Sequence, residues 1–259
     1  MEMQPVHELK YLFLEEKRIN DRKGVYARTQ KMMAYNSNKI EGSTLTSEQT
    51  ALLFDTGTLR GTDGEIYRAK DIEEMSGHFA MFHYMLDTLE QPLSEQIIKD
   101  FHKYLKAGVF EDFANGYPVG EYKNRYNIVS DIETVVPGDV HGKMKELLDG
   151  YQGYGNLEGI LMFHAKFEKI HPFQDGNGRV GRMILFRECL ANDMIPVIVK
   201  DEYKADYYHV LHEAQVYERY EELFAFGIRC QELYKKEISP FLECTIRRHN
   251  PITPRTIKL

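Results

Sequence analysis

Apolar residues recur at helical spacing along most of this chain. Val6, Leu9, Leu12 and Phe13 form one stripe across Val6–Asn20, and Val25–Ile40 continues with helix formers up to Glu41-Gly42. Thr46–Phe54 predicts a third helix, with Thr46 as N-cap and Gln49 in the capping-box position. Thr56–Tyr67, rich in Gly and Thr, predicts a loop. Ile72, Met75, Phe79, Phe82, Met85, Leu86 and Leu89 define a long amphipathic helix over Asp71–Leu89. After Pro92, Ser94 caps a helix to Leu105 whose buried face is Ile97, Ile98, Phe101 and Leu105. The period then changes. Gly116–Val140 holds Tyr126–Val129 and Ile132–Val136, two short β-prone runs meeting at Ser130-Asp131, which predict a hairpin. Helical periods resume at His141–Tyr151, Leu157–Ile170, Arg179–Asn192, Asp206–Val216 and Tyr220–Tyr234. The fold class is therefore mainly α with one hairpin.

The 259 residues suffice to bury a core, and 42% hydrophobic with 28% charged content is ordinary for a globular chain. A net charge of -7 argues against nonspecific nucleic-acid binding but not against a charged nucleotide, because a local arginine cluster outweighs the global sign. Cys189, Cys230 and Cys244 form no C-x-x-C pair. With no transmembrane-length apolar run and no signal-peptide pattern at Met1–Lys10, the expectation is a cytoplasmic protein without a disulfide framework. The tail Arg247–Leu259 reads as a solvated end.

One segment concentrates the chemistry: His171-Pro-Phe-Gln-Asp-Gly-Asn-Gly-Arg-Val-Gly-Arg182. Pro172 biases His171 toward extended geometry. Glycines let backbone N–H groups close on an anion, and a helix start adds partial positive charge. Arg179 and Arg182, three apart, share a helix face and can aim at one polyphosphate. Asp175 can ligate magnesium, and His171 can accept a proton. No Walker-type loop and no G-x-G-x-x-G after a strand is present, so the phosphate holder is a helix-loop-helix. Phe173 reads as a core anchor.

This segment resembles the Fic-domain signature H-P-F-x-[DE]-G-N-G-R-x-x-R at every defined position, with further likeness upstream through Phe163-His164, Phe167 and Ile170 and downstream through Leu185. The resemblance implies a Fic-type helical bundle with a hairpin flap, and transfer of AMP from ATP to a hydroxyl of a target protein with release of pyrophosphate. It implies three regions: 1–93 as an N-terminal helical part, 94–234 as the Fic core and 235–259 as an extension. His171 is then the base and Asp175 the Mg²⁺ ligand. Gly176, Asn177 and Gly178 form the anion nest, Arg179 contacts the phosphates and Arg182 the γ-phosphate. Gly120-x-Tyr122 resembles the flap lead-in, with Lys123 where Arg is usual. The flap would span Asn127–Pro137, touch ATP near Asn127, Ile128, Val129 and Ser130, and receive the target protein by strand addition. Tyr207 and Tyr208 resemble a pair closing the adenine pocket, and Gln215 reaches base or ribose; for these, core packing is an equal reading. His209 and His212 share a face without a third ligand and read as solvated surface.

Ser37-Asn-Lys-Ile-Glu41-Gly42 resembles the inhibitory [ST]-x-x-x-E-[GN] motif that precedes the core in one class of Fic proteins. Read locally, Gly42 is a C′ residue, and Glu41 is badly placed for its own helix dipole, so an external cation is expected; Arg182 is the candidate. The expectation is an adenylyltransferase held back by Glu41, with Ser37 bonding into the site and self-modification among its products. Alternatives are another donor such as UTP or a CDP-linked group, removal of AMP by a water that Glu41 orients, and a non-catalytic nucleotide-binding module. The helices before Ser94 serve a homodimer surface or bury within one chain equally well.

Overall fold

The computed structural model describes residues 5–61, 64, 66–129, 132–151 and 155–249. In order, the elements are α1 (Pro5–Arg18), α2 (Val25–Ile40), α3 (Ser47–Thr56), α4 (Ala69–Asp87), α5 (Glu95–Lys106) and α6 (Phe110–Asn115). A minimal ladder follows, β1 (Ile128–Val129) and β2 (Ile132–Glu133). Then come α7 (Val140–Gly150), α8 (Leu157–Ile170), α9 (Asn177–Ala191), α10 (Lys204–Tyr217) and α11 (Glu221–His249). The fold is mainly helical, as the period analysis expects.

Local chemistry sets several ends. Thr46 and Gln49 make the reciprocal capping box at the start of α3. Ser94 accepts from the Ile97 N–H, and Asn156 from the Gly159 N–H. Gly57 and Gly116 end α3 and α6 in the left-handed region.

The differences from expectation have physical reasons. α6 spans only six residues, with no side-chain cap at its start, and is too short for an apolar period to register in the sequence. α9 begins at Asn177 rather than Arg179, because Gly176 at φ 83° serves as its N-cap. α11 continues past Tyr234 to His249 and absorbs Pro240, so residue 234 is not an element boundary, and Arg247–His249 are helical. Residues 250–259 lie outside the described set. The strands are two residues each, in the register Ile128 opposite Glu133 and Val129 opposite Ile132. Ser130 and Asp131 lie outside the described residues.

One buried cluster joins Leu9 and Phe13 of α1, Val25 and Met33 of α2, and Phe82 and Met85 of α4. It continues through Phe101 of α5, Phe167 of α8, Phe186 of α9 and Ile238 of α11. The cluster therefore draws on helices from α1 to α11. A second cluster packs Leu161, Leu185, Tyr207 and Val210 around Ile40, the last residue of α2. Full burial of that isoleucine contributes about 1.5–3 kcal/mol and roots the end of α2 against α8, α9 and α10.

α4 and α5 cross closely at Gly77, where an added Cβ would lie 2.0 Å from the Leu105 carbonyl oxygen. Gly77→Ala is expected to lower the unfolding free energy by about 1–3 kcal/mol through overpacking. Gly108→Ala, which meets nothing within 4 Å, should leave it within about 0.5 kcal/mol; urea midpoints of the two variants check this.

Candidate functional site

The site lies where the C-terminus of α8, the N-terminus of α9 and the C-terminus of α2 converge over α4 and α5. His171 caps α8 with φ 53° and ψ 61°, its N–H donating to the Phe167 carbonyl at 3.0 Å. The extended geometry expected from Pro172 is not adopted. The left-handed cap turns the chain off α8 at a cost of about 1–2 kcal/mol, which the packed loop sustains. His171 Nδ1 sits 3.3 Å from the Glu168 carbonyl. With Nδ1 donating there, Nε2 carries the lone pair. Burial pushes the imidazole down to about 4, against the pull of the Glu168 carbonyl and helped by the charge of Lys123. It is a neutral acceptor at neutral pH.

The loop after His171 is held by its own side chains. Phe173 is fully buried and stacks on His102, with centroids 4.0 Å apart and planes within 2°, which makes it the core anchor the sequence suggested. Asn177 turns inward: its Oδ1 accepts from the Phe173 N–H at 2.7 Å and its Nδ2 donates to the Phe173 carbonyl at 2.8 Å. Its side chain therefore staples the loop and is not available to an anion. The first backbone N–H groups of α9 have no intrahelical acceptor.

A dense charge cluster surrounds that helix start. Lys106, only 1% exposed, contacts Glu74 at 2.5 Å, Asp112 at 2.8 Å and Asp175 at 2.8 Å. Lys70 adds a contact to Asp175 at 3.2 Å. Arg179 pairs with Glu74 and reaches Asp175 at 3.4 Å. Burial alone would raise the Asp175 carboxyl, but Arg179, Lys106 and Lys70 hold it well below the usual carboxylate range. Asp175 is a permanent anion, and the Arg179 guanidinium is already partnered.

Arg182 is held differently. Its Nε donates to Ser37 Oγ at 3.0 Å, and its Nη2 donates to the Ser37 carbonyl at 2.9 Å and to Glu41 Oε1 at 2.7 Å. Glu41 is the C-cap of α2 and Gly42 follows at φ 89°, the C′ position expected. Burial tends to raise the Glu41 carboxyl, yet Arg182 and Arg179 outweigh it and keep it below its ordinary value. Gly178 makes the room: an added Cβ would lie 2.3 Å from Glu41 Oε1. The sequence thus located both ends of this pair, 141 residues apart.

The remaining expected site residues divide. Tyr207 is buried, its hydroxyl 2.8 Å from His164 Nε2 and its ring 5.8 Å from the Arg182 guanidinium, while Tyr208 is exposed beside it. Gln215 spends its Nε2 on the Ala165 carbonyl at 3.1 Å, which ties α10 to α8. The Asn127 side chain donates to the Phe173 carbonyl at 2.9 Å and accepts from Lys123 at 2.6 Å; it anchors the hairpin. The backbones of Ile128 and Val129 form β1.

Sequence reasoning missed His102, Lys106, Glu74, Lys70, Asp112 and Glu168. One signal existed: His102 and Lys106 fall four apart on the apolar stripe of α5, where polar residues need partners. Glu168 is pushed up to about 8 by burial, Arg182 opposing and Glu41 adding. It is a neutral acid behind Arg182.

The helix-loop-helix thus gathers unpaired helix-start N–H groups, two buried arginines and an imidazole acceptor around one turn. Residues 92–188 match the family model described as Fic/DOC family, and the chain carries a Fic domain. It is 27% identical over 185 residues to Protein adenylyltransferase Fic of Nematostella vectensis, covering 70% of this chain and 42% of that one. It is 25% identical over 219 residues to Protein adenylyltransferase fic-1 of Caenorhabditis elegans, covering 83% and 42%. The chain therefore spans less than half the length of these relatives. In fold it resembles a Fic domain containing signaling protein from Bacteroides thetaiotaomicron, with TM-score 0.66, 24% identity and 92% of both chains covered. It also resembles Fic-1 from C. elegans, with TM-score 0.70, 20% identity and 94% and 74% covered. Among the described residues, no helix is long and apolar enough to cross a membrane.

Because the folded-state Glu41 carboxyl is held below 4.5, its pairing contributes stability above about pH 4.5 that fades as pH falls through the folded value. The side chain keeps 30% of its exposure, so Glu41→Gln should cost about 1 kcal/mol or less at pH 7. The difference should shrink as pH falls below 4.5; denaturant melts at neutral and acidic pH check it.

Proposed function

We propose that the protein transfers AMP from ATP to a hydroxyl side chain of a target protein, and that Glu41 restrains this transfer. The single observation that carries the reading is the Arg182 guanidinium at the start of α9, occupied by Ser37 and Glu41 from α2. The names of the relatives support the reaction type.

The phosphates would lie across the N-terminus of α9, with backbone N–H groups of Gly178 and Arg179 below them. Arg182 would take the γ-phosphate once Glu41 withdraws. The target hydroxyl oxygen attacks the α-phosphorus, the bond to the β-phosphate oxygen breaks, and pyrophosphate leaves. The proton passes to His171 Nε2, which is neutral for this purpose because burial keeps its proton affinity low. The α9 dipole and the arginines stabilise the charge that builds on the transferring group.

Asp175 fits one share of a magnesium site. It stays anionic and its side chain keeps 34% exposure, although Lys106 and Lys70 face its Oδ2. Among the described residues no group of three or more His, Cys, Asp or Glu could hold a metal, so Asp175 would hold the ion together with phosphate oxygens. Bound there, the ion would neutralise phosphate charge. The target would pair with the hairpin that Asn127 anchors.

Glu41→Gly is expected to raise AMP incorporation, including into the protein itself, by about 10- to 100-fold, the scale of one charge-assisted contact. His171→Ala in that background should lower it by about 10²–10⁴-fold. Labelling with α-³²P ATP and intact-mass spectrometry read both. Equal labelling by wild type and Glu41→Gly refutes the restraint, and undiminished labelling without the imidazole refutes the base.

A further inference from the structure

The hairpin and the candidate base are joined by a buried lysine that neither role of the site explains. Lys123 is 3% exposed. Its backbone N–H donates to the Pro172 carbonyl at 2.8 Å, directly after His171. Its ammonium donates to Asn127 Oδ1 at 2.6 Å and to Thr134 Oγ1 at 3.0 Å. Asn127 immediately precedes β1 and Thr134 immediately follows β2, so the lysine grips both feet of the hairpin. Thr134 closes the grip by bonding Asn127 across the base, at 2.8 Å to its carbonyl and 2.7 Å to its Oδ1. Asn127 in turn donates to the Phe173 carbonyl at 2.9 Å. The ring runs Pro172, Lys123, Asn127, Phe173 and encloses the exit of His171 from α8.

Both acceptors of this ammonium are neutral. A buried cation with no carboxylate at hydrogen-bond distance among the described residues is costly, and burial accordingly pushes the Lys123 amine down to about 8. Asn127 and Thr134 would be gripped as well by a neutral donor, so hydrogen bonding alone does not call for a cation. What a charge adds is a field acting on the His171 imidazole. The charged and titratable groups that act on His171 are Lys123 from the hairpin lead-in, the Glu168 carbonyl from α8, Glu41 from α2 and Asp175 from its own loop. Of these, Lys123 is the one cation, and it favours the neutral ring.

We propose that Lys123 is a positioning residue with two effects: its hydrogen bonds hold the feet of the hairpin to Pro172 and Phe173, and its charge adds to the burial that keeps the His171 imidazole unprotonated for proton abstraction. This rests on His171 acting as the base.

The test compares Lys123→Met, Lys123→Arg and Thr134→Val, each in the Glu41→Gly protein, by two readouts. One is the pH profile of AMP-transfer kcat/KM; the other is direct NMR titration of the His171 ring, which needs no activity. Lys123→Met should raise the ring titration and the acid limb together by about one pH unit, the scale of one neighbouring charge. Lys123→Arg should restore both. Thr134→Val, which loosens one foot and leaves the charge, should lower kcat/KM while leaving the ring titration in place. A His171 titration unmoved by Lys123→Met in a protein whose near-ultraviolet circular dichroism is native overturns the inference. So does a shift of equal size in Thr134→Val, because the cause would then be packing. If the ring titration moves as expected while no variant transfers AMP, the electrostatic link stands and the proposed reaction fails.

Discussion

The pairing of Arg182 with the end of α2 joins two parts of the chain 141 residues apart. The Arg182 guanidinium is buried, its Nε is committed to Ser37 and its Nη2 to Glu41. A planar guanidinium bonded through two of its nitrogens gives this pairing a fixed geometry. Neighbouring features shape that pairing. Gly178 leaves the space the carboxylate enters. Ile40, packed among α8, α9 and α10, fixes where α2 ends and so where Glu41 projects. Glu168 stays neutral behind the arginine and does not compete for it.

The charges at the start of α9 are balanced before any ligand arrives. Lys70, Lys106, Arg179 and Arg182 face Glu41, Glu74, Asp112 and Asp175. Burying such groups singly would be prohibitive, and their mutual pairing offsets the desolvation. The consequence is a loop whose shape is rigid and whose anion, Asp175, cannot take up a proton in the physiological range. Phe173 on His102, and Asn177 bonded twice to Phe173, hold the same loop from the apolar side. Two independent kinds of restraint therefore converge on a turn that must present N–H groups in a fixed direction.

The imidazole and the hairpin share a foundation. His171 leaves α8 in the left-handed region, and the two carbonyls that follow it are claimed by Lys123 and Asn127. A ladder of two residues per strand has little stability of its own. Its geometry comes from these anchors at its feet, so the position of the hairpin and the environment of the imidazole respond to the same few hydrogen bonds.

The sequence by itself determined what depends on short range. The helical periods, the capping box at Thr46, the cap at Ser94, the glycine after Glu41 and the dense segment His171–Arg182 are all written within a few residues of one another. Charge logic within α2 even pointed Glu41 toward an outside cation. Only the tertiary structure decided what depends on distance along the chain. It set Lys106 and Glu74 around Asp175 and Arg179, spent Asn127, Asn177 and Gln215 on backbone carbonyls, carried α11 through Pro240, and bridged the hairpin with Lys123. A buried polar group takes whichever partner the packing brings near, and periodicity records only that a face is buried, not what lies across from it.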